Sequence, residues 1–274
     1  MGDDVACVPP EARGGHRSGV TEDLTGRTVL LTGASKGIGA ETARALGEAG
    51  AHLVAHYGSD EAGARAATAA IPDERKLLVH ADFEEQSAAH RLWEEAVAWR
   101  GRVDVLVNNA AVMPETPLSS SDEDWHRGWE RALQVNVRAP ADLTRDAVGH
   151  FVQHGGGVLI ALSSWVAQRG PRDPALMAYA ASKAAVKALT QAVGRHHARD
   201  GVLVHVIAPG VVGTELSEIA AARTGGTEKL VAELAMGEWV PPQEVAELVV
   251  FLASGRVRHL SGATLDVNGA TYVR

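Results

Sequence analysis

The sequence predicts an α/β protein with a single doubly wound domain: a seven-stranded parallel sheet with helices on both faces. Three observations carry that prediction. From Gly26 onward, short runs of Val, Leu and Ile alternate with Ala-rich segments of helical length. The short runs are apolar throughout rather than at every second residue, the pattern of a sheet covered on both faces. A glycine-rich turn, Thr32-Gly33-Ala34-Ser35-Lys36-Gly37-Ile38-Gly39, joins the first run to the first helical segment.

The elements follow in order. TVLLT marks a first strand over 27–32, and the glycine turn leads into a helix over 37–49. A strand over 51–56, a helix over 60–70 and a strand over 76–80 come next. A helix over 84–100 precedes VDVLV, the strand over 103–107. The helical segment 122–152 is expected to break around Pro140, whose ring and missing N–H interrupt a helix. GVLIAL gives a strand over 157–162, followed by a helix over 175–199. VLVHVI gives the sixth strand, over 202–207; helical segments over 214–235 and 242–253 lead to a last strand over 263–267. No linker, repeat or composition shift divides 25–274, so it reads as one domain, and residues 1–24 read as a flexible tail without an apolar core of its own.

Composition narrows the function. Of 274 residues, 46% are hydrophobic and 22% charged, enough apolar material for a buried core. No run approaches the ~18 apolar residues of a membrane helix. With 26 Lys and Arg against 34 Asp and Glu, the net charge is −8, which disfavours nucleic acid as a partner. The single cysteine, Cys7, forms no internal disulfide and points to a reducing, cytoplasmic setting. The twelve histidines do not form a metal set; His150/His154 and His196/His197 read as solvated helix positions.

Two motifs carry chemistry. In the glycine turn, Gly33 permits the tight bend, Gly37 lets backbone approach a pyrophosphate, and Gly39 allows close packing of helix on strand. The helix N-terminus behind it supplies N–H groups and positive dipole. Tyr179 and Lys183 lie four apart on one helical face. A neighbouring ammonium lowers the pKa of a phenol and makes it a usable acid/base. Ser163-Ser164 end the fifth strand and Asn108-Asn109-Ala110-Ala111 end the fourth, both at carboxyl edges where such sheets hold ligands. Asn136 lies in the helical segment between them.

With TGASKGIG at 32–39, Asp82 after strand three, NNAA at 108–111, Asn136, Ser164, YAASK at 179–183 and PGVVGT at 209–214, the chain resembles the short-chain dehydrogenase/reductase family over about residues 25–270. Its likeness is to the main branch, near the 3-oxoacyl-carrier-protein reductase type, with the Rossmann fold. The resemblance implies that Tyr179 passes the substrate's proton, Lys183 tunes Tyr179 and bonds the nicotinamide ribose, Ser164 bonds the carbonyl, and Asn136 holds a water linking Lys183 to solvent. It implies cofactor contacts from Gly33, Ser35, Lys36, Gly37, Ile38 and Gly39 at the phosphates. Asp82, Phe83, Asn109, Ala110 and Ala111 belong to the same set, with Asp82 and Asn109 on the adenosine half. Pro209, Gly210, Val212 and Thr214 fall at the carboxamide. It also implies a homotetramer or homodimer through the helical segments 122–152 and 175–199.

The chain departs from the family pattern at several points. Ala111 stands where the family has Gly. The stretch between Ser164 and Tyr179 is about two residues longer than usual, which keeps Ser163 as an alternative to Ser164 and marks a specificity element. Glu238 replaces a frequent basic residue and weakens an acyl-carrier-protein substrate. The second strand ends on Tyr57 rather than an acid, Lys36 supplies a cation, and His56 and Ser59 are candidate phosphate donors, so NADP(H) is favoured over NAD(H). Segment 211–240 corresponds to a substrate lid, and Met113, Trp165, Met177, Leu216 and Trp239 are candidate pocket residues. The expected activity is interconversion of a ketone and a secondary alcohol. An NAD-dependent sugar or alcohol dehydrogenase, and a non-catalytic nucleotide sensor on the same fold, are the other readings.

Overall fold

Alternate side chains of each strand point to opposite faces, and here both faces find a core. A computed structural model describes residues 22–223 and 225–273; the expected tail at 1–24 falls almost wholly outside them, as does Cys7. Its strands are β1 Thr28–Leu31, β2 His52–Tyr57, β3 Lys76–His80, β4 Val105–Asn108, β5 Gly157–Leu162, β6 Val202–Pro209 and β7 Thr264–Val267. They form one parallel sheet in the order β3-β2-β1-β4-β5-β6-β7, the architecture expected from the apolar runs. Val29 and Leu31 of β1, Val105 and Val107 of β4, and Val158 and Ile160 of β5 enter one core, while Leu30, Leu106 and Leu159 enter the other.

The helices are α1 Gly37–Glu48, α2 Glu61–Ala67, α3 Ala88–Arg100, α4 Asp122–Leu133, α5 Ala139–Gln153, α6 Val166–Arg169, α7 Met177–His197, α8 Glu215–Arg223, α9 Thr227–Ala232 and α10 Pro242–Ala253. α1 and α10 pack on the first core; α3 and α5 pack on the second. α3 starts later than expected because Asp82 turns the chain first, its Oδ1 accepting the Glu84 N–H at 2.9 Å.

The break expected near Pro140 lies just before it. A π turn over Gln134–Arg138 separates α4 from α5, and Pro140 sits in the first turn of α5, where its missing N–H costs nothing. Asn136 belongs to that turn.

β1 pairs with β2 on one side and β4 on the other, so the strand order reverses there and leaves a crevice beyond their carboxyl ends. α7 closes one side of that crevice. It approaches β6 most closely at Gly194, where any added Cβ would overlap a methyl of the fully buried Val204. Among the described residues, no helix is long and apolar enough to cross a membrane.

Because α7 carries Tyr179 and Lys183, its seat on β6 sets their position. Gly194→Val is expected to lower stability by about 1–3 kcal/mol, the scale of an overpacked core. Chemical denaturation of wild type and variant measures this.

Candidate active site

A cavity of about 880 Å³ runs along the carboxyl ends of the strands, lined in turn by residues after β1, β2, β3, β4, β5 and β6. Its size is that of a pocket for an extended small molecule.

The glycine turn forms its floor. An added Cβ on Gly39 would overlap the Gly33 carbonyl oxygen and lie 2.7 Å from Asn109 Nδ2. Gly33 and Gly37 have φ of +70° and +56°, a region that favours glycine. The turn is laced to the end of β4 through Thr32. Its hydroxyl accepts the N–H groups of Asn109 (2.9 Å) and Ala110 (3.0 Å), and Asn109 Nδ2 donates to Gly33 O at 3.0 Å. α1 has no side-chain cap and no acid in its first turn, so its leading N–H groups are open to an anion in the cavity. A backbone cradle that a Cβ would fill, beside uncapped N–H groups, fits a dinucleotide's pyrophosphate.

His56 takes a different part from the phosphate donor expected. It is buried; its Nδ1 accepts the Gly33 N–H at 3.0 Å, and its Nε2 faces Ala81 O at 2.9 Å. Both nitrogens are engaged by backbone, which leaves no N–H for a phosphate. That pattern fixes the tautomer with hydrogen on Nε2. The ring stacks on Phe83 with centroids 4.3 Å apart. Burial pushes the imidazole down to about 4, against the opposing pull of the Ala81 carbonyl. His56 is therefore a neutral brace between the glycine turn and the chain after β3. Next to it Ser59 lines the cavity, whereas Tyr57 turns away against His80. Asp60, the nearest acid, caps α2 by accepting the Gly63 N–H at 2.8 Å. Lys36 pairs with Glu215 of α8 at 2.6 Å, both exposed.

Tyr179, Ser164 and Lys183 meet at the far side. Burial pushes the Tyr179 phenol up to about 12, and a hydrogen bond with Ser164 pulls the other way. Lys183 Nζ donates to Leu162 O at 2.7 Å and lies 5.8 Å from the centre of the Tyr179 ring. Burial pushes Lys183 down to about 8. The phenol is therefore raised by burial, in place of the lowering by the ammonium expected from sequence. Ser163 is structural: its hydroxyl donates to the Lys183 carbonyl at 2.9 Å and holds α7 on β5. Asn136 does not reach the cavity. Its Oδ1 accepts the Val112 N–H (2.8 Å) and its Nδ2 donates to Val112 O (2.8 Å) and Ser182 Oγ (3.0 Å), tying the loop after β4 to α7.

Beyond Tyr179, residues of α8 and α9 line the cavity. Their base is pinched where Val212 bridges Val240 and the Gly213 N–H donates to Val240 O at 3.0 Å. Gly225 and Gly226, with φ of +107° and +96°, lie between the two helices. Met113, Trp165 and Leu216 line the cavity as expected; Met177 and Trp239 do not. Met177 begins α7, and Trp239 packs beside Gly213 at the base of the lid. Of the cofactor set, Ser35, Ile38, Asp82, Ala110, Ala111, Pro209, Gly210, Val212 and Thr214 line the cavity. Ala111 has an ordinary negative φ, so the exchange from Gly carries no backbone strain. Lining residues that sequence reading missed are Arg131 and Val135 at one end and Arg169, Arg172, Leu176, Lys229, Leu230 and Glu233 at the other. The sequence signals for the latter group were the lengthened stretch after Ser164, for Arg169, Arg172 and Leu176, and the segment 211–240, for Lys229, Leu230 and Glu233. Among the described residues, no group of three His, Cys, Asp or Glu is placed to hold a metal.

A family model described as Enoyl-(Acyl carrier protein) reductase matches residues 33–270. The chain is 37% identical over 254 residues to 3beta-hydroxysteroid dehydrogenase 1 of Eggerthella lenta, covering 90% of this chain and 94% of that protein. Among solved structures, it is similar to a 3-oxoacyl (acyl-carrier-protein) reductase from Agrobacterium tumefaciens with NADP bound. That match has TM-score 0.80 and 30% identity, and covers 90% of this chain and 95% of that one. It is also similar to a short chain dehydrogenase from Burkholderia cenocepacia in complex with NADP, with TM-score 0.82, 29% identity, and 91% and 99% covered.

The His56 brace predicts an acid-sensitive fold. The folded imidazole binds its proton only near pH 4, the unfolded one near 6.5, so the unfolded state holds more protons between them. Stability is expected to fall by up to about 3 kcal/mol as pH drops from 6.5 to 4. His56→Asn, less stable at neutral pH, is expected to lack this part of the slope; denaturant titrations across that range measure it.

Proposed function

The chain belongs to the short-chain dehydrogenase/reductase family, and on that premise we propose that it is an NADP(H)-dependent oxidoreductase interconverting a ketone and a secondary alcohol. The observation that carries this reading is the convergence of Tyr179, Ser164 and Lys183 on one cavity with the glycine turn.

The cofactor, when bound, supplies or accepts the hydride at the carbonyl carbon. The protein's own residues handle the oxygen. Tyr179, kept protonated by burial, holds the proton that a reduced carbonyl oxygen takes up. Ser164 bonds the same oxygen and stabilises charge developing on it. Lys183 is an ammonium at neutral pH and lies beside the phenolate left when Tyr179 gives up its proton. Asn136 is a positioning residue that fixes α7 to the loop after β4. In the oxidative direction the same groups act in reverse.

NADP(H) is favoured by charge. β2 ends without an acid, Asp60 is spent on its helix cap, and Lys36 lies in the glycine turn with only an exposed carboxylate as partner. An exposed pair of that kind is worth little and yields readily to a phosphate. The solved neighbours with NADP bound support the same choice.

Oxidation of NADPH across a panel of ketones tests the reading. Tyr179→Phe is expected to abolish turnover while cofactor affinity stays near wild type; retained turnover would remove Tyr179 as the proton carrier. A sensor on this fold would instead bind cofactor tightly and consume none. Lys36→Glu is expected to weaken NADPH about tenfold or more with little change for NADH, measured by fluorescence titration. Equal losses for both would sink the cofactor assignment.

A further inference from the structure

Two cations that line the cavity have no ion-pair partner among the described residues. Three of the carboxylates that line the cavity lie after α6, on α8 or after α9, and each is taken. Asp173 holds Arg223 Nη2 at 2.9 Å, Glu233 holds Arg172, and Glu215 holds Lys36 at 2.6 Å. The first two pairs tie the stretch after α6 to the lid. They leave Arg169 at the end of α6 and Lys229 in α9, both lining the cavity, with no carboxylate of a described residue in ion-pairing range. Glu218 and Glu228, the other acids of α8 and α9, do not line it.

An unpaired cation on open surface needs only water. These two differ in position. Arg169 lies with its guanidinium 4.8 Å over the Trp165 ring, one residue from Ser164. That stacking limits the freedom of the side chain and lowers the cost of ordering it around a ligand. Lys229 belongs to α9 of the segment after β6 and lines the same cavity. The same cavity is lined by the apolar residues Met113, Trp165, Leu176, Leu216 and Leu230. A planar guanidinium and an ammonium flanking an apolar slot match a carboxylate on an apolar body.

We infer that the substrate is a ketone or secondary alcohol carrying a carboxylate, received by Arg169 and Lys229 at the cavity mouth. The inference rests on the reaction proposed above for the site's polarity, with the oxygen to be reduced at Tyr179 and the anion at the rim.

The test titrates the NADP⁺-loaded enzyme by calorimetry with cyclohexanecarboxylate, benzoate and hexanoate, each beside its amide. Acid and amide share shape and differ in charge. At least one acid is expected to bind about tenfold or more tightly than its amide, the scale of a charge-assisted hydrogen bond. Arg169→Gln is expected to remove that preference, and Lys229→Gln to reduce it, with amide and NADP⁺ affinities unmoved. Equal affinity of every pair, absence of binding throughout, or a preference that survives Arg169→Gln would overturn the inference. A second arm compares 4-oxocyclohexanecarboxylate with its amide as substrates, the difference expected in KM rather than kcat. If Tyr179→Phe still reduces both, the reaction reading fails, while the titration decides the anion site separately.

Discussion

Gly39 lies so close to the Gly33 carbonyl that no side chain fits between the turn after β1 and the start of α1, and the rest of the site is arranged around that contact. The closed turn brings Gly33 O to Asn109 Nδ2 and Gly33 N–H to His56, joining the ends of β1, β2 and β4 at one point. It leaves α1 pointing its uncapped N–H groups into the crevice. It also faces the start of α8, because an added Cβ on Gly37 would lie 3.0 Å from the methyl of Thr214. A phosphate held by backbone needs no fixed positive side chain, which explains how a chain of net charge −8 accommodates an anionic ligand.

The polar groups buried around that point are held almost entirely by backbone and hydroxyls, not by opposite charge. His56 is braced by two peptide groups and stays neutral. Lys183 has a carbonyl for a partner, and no carboxylate offsets its burial. Lowering an ammonium from 10.5 to about 8 costs the folded state about 3 kcal/mol at neutral pH. The cost is fully present below pH 8 and fades between 8 and 10.5, where the unfolded chain still holds the proton and the folded one releases it. A carboxylate partner would remove that cost but would also neutralise the charge that faces the Tyr179 ring. The unpaired ammonium is a destabilised group retained for its field.

The fold and the cofactor end were legible because both are written in local pattern. Apolar strands at regular spacing named all seven β-elements, and glycines in a strand–turn–helix context named the cradle. Ser164, Tyr179 and Lys183 were legible as a set, each at the end of an element facing one crevice. What failed to read were properties of packing. Nothing in the local sequence distinguishes a histidine that donates to a phosphate from one that accepts a peptide N–H, and His56 turned out to be the second. Nothing local shows that Asn136 spends all three of its side-chain bonds on protein. Pro140 signalled a break, but the π turn that makes it lies one turn earlier and has no proline or glycine of its own.

The substrate end was illegible for a further physical reason. Residues 166–176 and 211–240 have no strand to impose a period, so their side chains are placed by contacts with each other. Arg172 with Glu233 and Arg223 with Asp173 are pairs between segments far apart in sequence. The exposed Arg172–Glu233 pair adds little stability. The consequence of the two pairs is a choice of which cations are used up. Elsewhere along the cavity, Arg131 is matched by Glu84 and Lys36 by Glu215. Among the described residues the matching stops short at Arg169 and Lys229, which line the same cavity as Met113, Trp165 and Leu230. Two unmatched cations lining one cavity attract anions from solution and repel cationic ligands. Selectivity at this mouth therefore follows from incomplete neutralisation, a property of the assembled loops that no single residue of either segment displays.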